Sequence, residues 1–449
     1  MTLRRNGMSD PRVSGTVRTL EKLYPGSEVS HSSCSEFEFL ERNPELKLQN
    51  GVNFGTLRRD GRVLLWQRIK NGAVFWFELT RRGIPLGSKE TKVLDAFDKT
   101  QRGLFAEHEN RAAQSSSRMA SFSAFGNILV ARYLRGRAAS NFWTPQLILS
   151  EVQSLSLQRY EGSPCTSGIV FTSEPTIFVK KLDKTLYDLE GVDYEGTFDV
   201  DFFSSPPTYR YVDGKNAFYV VDNSRKIIGV LRIRSPMSYT VYDRAVFSHL
   251  RSVFELEAGR TFVAISNNQG TVTVQSRNGL QLRWKNLFWS VCDTDIIVDF
   301  LIEFGLEVPL ATKIVSLLFA ISDMRFGALL LVVDSDCALP RSAGSIGGTD
   351  FSAALKELSK GKTVTQAMES NEILGILTSD GLTTINKDGV VLSAGDIIDL
   401  SGPGESSVTG GGRTQAAVAA SRFGVALKIS EDGPITVFHK GDCVIKMQR

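Results

Sequence analysis

The stretch from residue 373 to residue 438 constrains the fold more than any other part of the chain. Short apolar runs alternate there with polar, glycine-containing loops, a pattern that predicts buried strands joined by tight turns. Residues 373–377 form the first apolar run and predict a strand, so Asp380 would lie where a strand enters a turn. The last strand is predicted over residues 435–438.

A β-hairpin is predicted next, because short apolar runs flank the turn Asn386-Lys387-Asp388-Gly389 and Asp-Gly tolerates a positive φ. Glycines then cluster between residues 402 and 412, directly before a helix predicted over residues 415–421. Glycines that lead into a helix N-terminus leave backbone N–H groups free to bind an anion, which the helix dipole also favours. A strand at residues 425–429 and a turn at residues 430–434 complete the pattern.

Four short motifs in this region follow one another in a recognisable order. They are Gly327-Ala328-Leu329, Asp380-Gly381-Leu382, Gly411-Gly412-Arg413-Thr414-Gln415 and Ser430-Glu431. They resemble the Gly-Ala-Leu strand, Asp-Gly-Ala motif, Arg-His-Arg loop and Ser-Glu corner of the diadenylate cyclase domain, whose members join two ATP molecules into cyclic di-AMP. Each motif alone is typical of an ordinary strand, turn or loop, so the resemblance depends on their order.

The motifs also depart from the family pattern at three positions. Leu382 stands where the family has alanine, and Thr414 and Gln415 stand where it has histidine and arginine. One imidazole and one guanidinium that the family directs at its substrate are therefore missing. Either this chain handles the triphosphate differently, or its site binds a nucleotide without turning it over.

The resemblance implies roles for individual residues. Asp380 and Glu431 would be the ligands of Mg²⁺ or Mn²⁺, because carboxylate oxygens suit these ions. Asp380 and Arg413 would be catalytic, with Asp380 nearest the attacking hydroxyl. The substrate ATP would be bound by Gly381, Leu382, Gly410, Gly411, Gly412, Arg413, Thr414, Gln415 and Ser430, with Gly381 and Leu382 against the base.

The resemblance further implies a homodimer or higher oligomer through the C-terminal domain, because the family completes each site across a symmetric pair. The alternative hypothesis is a degenerate cyclase fold that acts as a nucleotide or cyclic-dinucleotide receptor, and a third is a structural interaction domain. A P-loop NTPase is excluded, because the glycines at residues 404–414 lack the Gly-Lys-Ser/Thr ending that this loop requires.

Composition excludes several other classes of protein. A net charge of +3 over 449 residues gives no basis for nucleic-acid binding. The five cysteines and four histidines are dispersed, which argues against a disulfide framework, a zinc site or a Ser-His-Asp enzyme. The most apolar window, residues 314–333, is interrupted by Asp323 and Arg325, so no membrane span is expected. Without a secretory signal pattern at the N-terminus, we expect a cytoplasmic protein.

The predicted fold class is a mixture of α+β and α/β, organised in four parts. Residues 1–50 are expected to be a polar, partly ordered lead-in, and residues 51–140 an α+β region with a hairpin whose strands carry Trp66 and Trp76. Residues 141–306 predict a middle α+β domain that senses an unknown small-molecule or protein signal. Residues 307–449 predict the cyclase-like domain, a central mixed sheet flanked by helices.

Two helices are predicted at the junction, one over residues 294–306 and one from Pro309 onward, because their apolar residues follow a 3.6-residue period. We expect the first of them to carry a signal from the N-terminal region to the site. The glycine-rich loop at residues 344–348 would either close over a nucleotide or serve as a surface connection, and a helix is predicted after it over residues 351–358.

Overall fold

The structure is a computed structural model. It describes residues 11–44, 54–59, 62–68, 73–81, 84–110, 117–135, 143–199, 201–256, 261–267, 269–277, 279–333, 342–345, 357–398 and 410–447. The chain has a mixed α+β fold, as predicted. Within these residues no helix combines the length and the apolar composition that crossing a membrane requires.

The N-terminal part is a four-stranded antiparallel sheet with helices packed around it. Its elements are α1 (Pro11–Leu23), β1 (Ser27–Ser35), α2 (Glu36–Arg42), β2 (Phe54–Arg59), β3 (Arg62–Arg68), β4 (Ala73–Arg81), α3 (Ser88–Asn110), α4 (Ser117–Arg135) and α5 (Trp143–Leu157). The strand order is β1-β4-β3-β2.

The lead-in predicted at residues 1–50 contains regular elements within residues 11–44, where α1, β1 and α2 are formed and β1 pairs with β4 along its whole length. Residues 109–110 end α3 and residues 117–120 begin α4. The hairpin of β3 and β4 is confirmed as a strand pair, although its Asn71-Gly72 turn lies outside the described residues. Trp66 and Trp76 both pack against Phe39, which makes them core residues.

The middle part is built on an eight-stranded sheet of order β14-β13-β12-β11-β7-β9-β10-β8, antiparallel except for the pair β7 and β9. Its strands are β7 (Ser167–Phe171), β8 (Tyr187–Gly191), β9 (Ala217–Val221), β10 (Ile227–Ile233), β11 (Phe262–Ser266), β12 (Val272–Ser276), β13 (Gln281–Lys285) and β14 (Phe288–Cys292), preceded by the two-residue strands β5 (Arg159–Tyr160) and β6 (Ser163–Pro164). Its helices are α6 (Pro175–Lys181), α7 (Pro206–Tyr211), α8 (Val241–Ala245) and α9 (Arg251–Glu255).

The C-terminal part is a seven-stranded mixed sheet with helices on both faces. Its helices are α10 (Thr294–Glu303), α11 (Val308–Asp323), α12 (Val364–Glu369), α13 (Ile373–Thr378) and α14 (Gly412–Ala420). Its strands are β15 (Ala328–Val333), β16 (Ser342–Ser345), β17 (Leu382–Asn386), β18 (Val391–Ile398), β19 (Gly424–Ile429), β20 (Ile435–His439) and β21 (Asp442–Met447), in the order β16-β18-β17-β15-β19-β20-β21.

The central strand β15 divides the C-terminal core into two layers. Ala328, Leu330 and Val332 pack with α10, α11 and α13, whereas Leu329, Leu331 and Val333 pack with α14. This alternation follows from the two-residue period of a strand. The helix α10, which the sequence analysis placed before the boundary at residue 307, thus shares the core of the C-terminal sheet.

Two predictions in the C-terminal part need correction. Residues 373–377 belong to the helix α13 and not to a strand, because Ile373 and Leu377, four residues apart, bury the same face. Asp380 therefore follows a helix and precedes a strand. The strand at residues 435–438 is not the last, since β21 pairs with it. The predicted loop at residues 344–348 and helix at residues 351–358 lie largely outside the described residues.

The N-terminus of α10 is anchored against the start of α3. Asp293 caps α10 by accepting a hydrogen bond from the Asp295 N–H (3.1 Å), and its side chain is buried beside Gly87. Lys89 forms an ion pair with Asp295. Burial, followed by the charges of Glu90 and Asp295, raises the pKa of Asp293 to about 7.

This raised pKa makes the stability of the protein depend on pH. The folded state holds the Asp293 proton more tightly than the unfolded state does, so stability falls as the pH rises from about 4 to about 7 and then levels off. Asn at this position keeps the capping oxygen but does not ionise. Between pH 5 and pH 8, the free energy of unfolding of Asp293→Asn should fall by about 2–3 kcal/mol less than that of the wild type, as measured by urea unfolding. Parallel stability profiles for the two proteins would contradict this assignment.

Candidate functional site

The predicted site residues meet at one edge of the C-terminal sheet. β15 and β17 are parallel neighbours and begin at the same edge, and β19, antiparallel to β15, ends there. Asp380 lies two residues before β17, Glu431 lies two residues after β19, and Arg413 lies in the first turn of α14. Three motifs that are far apart in the sequence therefore converge.

The guanidinium of Arg413 lies between two carboxylates. Its Nη2 is 3.6 Å from Oδ1 of Asp380, and its Nη1 is 3.4 Å from Oε1 of Glu431. The ion pairs are long, and the carboxylates are 68% and 73% exposed, whereas the Arg413 side chain is 30% exposed. The carboxylates are thus oriented by a shared cation and remain accessible to a ligand.

Gly327 forms the floor beneath this guanidinium. A Cβ at residue 327 would lie 1.9 Å from Nη1 of Arg413, so any side chain would displace the guanidinium. The sequence predicts Gly327 at the start of a strand but gives it no role in the site. Its contact depends on α14 packing across β15, which no local pattern indicates.

The backbone at Gly381 fixes the position of Asp380. Gly381 has φ +109°, and a Cβ there would lie 2.5 Å from the carbonyl carbon of Gly395. Only glycine fits both this conformation and this close approach to β18. Leu382 is 2% exposed and packs with Leu329 and α14, so it lies in the core beneath the exposed carboxylates.

Among the described residues no side chain caps the start of α14, where backbone N–H groups are on offer. Gly411 is the N-cap residue, and Cβ atoms at Gly411 and Gly412 would have no described residue within 4 Å. The carbonyl of Gly411 accepts hydrogen bonds from the N–H groups of Thr414 (2.8 Å) and Gln415 (3.2 Å). Gly410 has φ +158°, at the limit of ordinary extended backbone, and faces the Thr414 side chain. Residues 401–409, with most of the glycine loop, lie outside the described residues.

Ser430 and Glu431 lie on a tight turn that closes on itself. The Ser430 N–H donates to the Pro434 carbonyl (3.0 Å), and the Ser430 carbonyl accepts from the Gly433 N–H (2.8 Å). The Ser322 hydroxyl also donates to the Gly433 carbonyl (2.5 Å). The turn is therefore held by its own backbone and by the end of α11.

The two carboxylates fit a divalent cation only in part. Among the described residues, no group of three or more His, Cys, Asp or Glu side chains is placed to hold a metal. Mg²⁺, however, is commonly bound by one or two carboxylates together with substrate phosphates and water. Asp380 and Glu431 supply two such carboxylates. Together with Arg413 they leave one unit of negative charge at the site.

No family model and no curated protein matches this chain. Among solved structures, a hypothetical membrane spanning protein from Bacillus cereus is 17% identical, covering 35% of this chain and 71% of that one, with a TM-score of 0.26. A DacA double mutant from Staphylococcus aureus is 19% identical, covering 27% of this chain and 76% of that one, with a TM-score of 0.19. Similarity at these TM-scores assigns no activity to this chain.

Proposed function

We propose that the C-terminal part is a diadenylate cyclase that condenses two ATP molecules into cyclic di-AMP and releases pyrophosphate. The observation that carries the proposal is the guanidinium of Arg413 between the carboxylates of Asp380 and Glu431. These residues come from three of the four motifs that resemble the family. If the motifs matched the family only by chance, their residues would not be expected to converge at one edge of the sheet.

The reaction requires a ribose 3′-oxygen to attack the α-phosphorus of a second ATP while the bond to pyrophosphate breaks. A divalent cation held by Asp380 and Glu431 would neutralise phosphate charge and acidify the attacking hydroxyl. Arg413 donates hydrogen bonds to phosphate oxygens, and the first N–H groups of α14 add further donors. Two such transfers, one from each ATP, close the ring.

The net charge of the site predicts an order of binding. Asp380, Glu431 and Arg413 together carry one negative charge, which repels a triphosphate. A bound divalent cation makes the total one positive charge, which attracts it. Nucleotide binding should therefore depend on the metal. The proposed setting is the cytoplasm, where ATP is present, with two copies of the domain facing one another.

A catalytically degenerate receptor is the second candidate. Thr414 and Gln415 carry no charge, so this site has one cationic side chain where the family pattern has more. Such a site would bind a nucleotide or a cyclic dinucleotide without joining two ATP molecules. Product analysis distinguishes the two candidates.

Asp380→Asn tests the cyclase directly. Full-length protein incubated with ATP and Mn²⁺ should yield cyclic di-AMP by mass spectrometry, and Asp380→Asn should lower its rate at least about 100-fold through loss of a carboxylate at the reacting hydroxyl. Asp442→Asn, an exposed aspartate on β21, is the matched control and should keep the wild-type rate. Intact ATP together with metal-dependent ATP binding would favour the receptor, and the absence of both would reject both candidates.

Gly327→Ala tests the placement of Arg413. The added methyl should displace the guanidinium, whose far end is mobile, and weaken ATP binding about tenfold by loss of a charged hydrogen bond while the fold is kept. Gly375→Ala on α13, where a Cβ meets open space, controls for the loss of a glycine. Calorimetric titration with ATP and Mg²⁺ provides the measurement. Equal affinities of both variants for ATP would show that Arg413 does not contribute to ATP binding.

A further inference from the structure

The turn that carries Glu431 is held by residues of the middle part of the chain. Lys285, the last residue of β13, donates a hydrogen bond from Nζ to the carbonyl of Asp432 (2.9 Å). Nη1 of Arg325 donates to the same carbonyl. Two cationic donors thus converge on the residue that follows Glu431.

Arg325 is itself fixed by the middle sheet. Its Nε donates to Oε1 of Gln269 (2.6 Å), in the loop between β11 and β12. The Gln269 amide in turn donates to the carbonyl of Asp323 (2.7 Å), and Arg283 on β13 pairs with the Asp323 carboxylate (3.1 Å). Arg325 has φ +62°, a conformation that residues other than glycine rarely adopt. The surrounding contacts must therefore maintain it.

These contacts reach both members of the Glu431–Arg413 pair. Asp432 follows Glu431 directly, and Arg325 is two residues before Gly327, the floor of the Arg413 guanidinium. A shift of β13 or of the Gln269 loop would therefore move the carboxylate and the floor together. The Glu431 side chain is 73% exposed, and its long ion pair with Arg413 restrains it only weakly.

The environment of Lys285 agrees with a fixed position. Burial, followed by the charges of Arg325 and Arg283, lowers the pKa of Lys285 to about 8, and the nearby Asp432 charge opposes this shift. A freely solvated lysine would not experience these costs. The lysine is held among like charges because it has a specific acceptor there.

We propose that Lys285, Gln269 and Arg325 form a tether through which the middle part positions Glu431 at the candidate site. Lys285 and Gln269 are positioning residues, since they act on the site only through the turn at residues 430–434. The consequence for activity rests on the proposed function. The mechanical link does not, and it can be measured separately.

Amide hydrogen exchange of the full-length protein tests the link. The Ser430 and Gly433 N–H groups are hydrogen-bonded within the turn, so their exchange reports its opening. Lys285→Met should speed exchange of the peptide containing residues 430–434 about tenfold, because a charged donor is lost. Lys285→Arg keeps a cationic donor and should restore protection. Lys180→Met, an exposed lysine on α6, is the matched control and should leave the turn unchanged.

Exchange in the turn that stays at the wild-type rate in Lys285→Met, or that rises equally in Lys180→Met, would overturn the tether. If Lys285→Met does not fold, Gln269→Met removes the acceptor of Arg325 and should give the same local increase, while unchanged exchange in that variant would also overturn it.

Titration of the same variants with ATP and Mn²⁺ separates the two proposals. Weaker ATP binding in Lys285→Met, with rescue by Lys285→Arg, supports a role of the tether at the site. ATP that fails to bind even the wild type would reject the proposed function, while the exchange result would still decide the tether.

Discussion

The candidate site depends on one arginine that is shared by two carboxylates. Arg413 draws Asp380 and Glu431 towards a common point, although each belongs to a different loop. Without a cation between them, two exposed carboxylates at one sheet edge would repel each other. Several features of the surrounding structure serve this contact: the glycine floor at residue 327, the close strand crossing at Gly381 and the start of α14.

The topology of the C-terminal sheet explains why these groups meet. A parallel pair, β15 and β17, presents two strand beginnings at one edge, and the antiparallel β19 adds a strand end. Loops at such an edge are positioned by rigid strands but remain open to solvent. The two carboxylates of the candidate site are therefore largely exposed, whereas Leu382, two residues after Asp380, is in the core.

Local patterns in the sequence predicted much of this fold, because their causes are local. The hairpin of β17 and β18, the amphipathic helices α10 and α11, and the turn at residues 430–434 each follow from nearby residues. The prediction of a strand at residues 373–377 was wrong because a short apolar run fits a buried strand and a short helix equally well. The convergence of the motifs was expected from the resemblance alone, since neither spacing nor periodicity fixes strand order.

Contacts between distant segments could not be predicted in this way. Lys285 and the carbonyl that it binds are 147 residues apart in the chain, and β13 shows no pattern that marks its last residue as a tether. Nothing in the sequence distinguishes Gln269 from other loop residues either. Only its contact with Arg325 in the structure does so. These contacts join the middle part of the chain to the turn that carries Glu431.

The most direct test of the shared site is electron paramagnetic resonance of Mn²⁺ titrated into the protein with and without a non-hydrolysable ATP analogue. We expect Mn²⁺ bound near Asp380 and Glu431 to increase the affinity for the analogue, and the double variant Asp380→Asn with Glu431→Gln to abolish this coupling. Binding of the analogue that is equally tight in the presence of a chelator, or coupling that survives in the double variant, would contradict it.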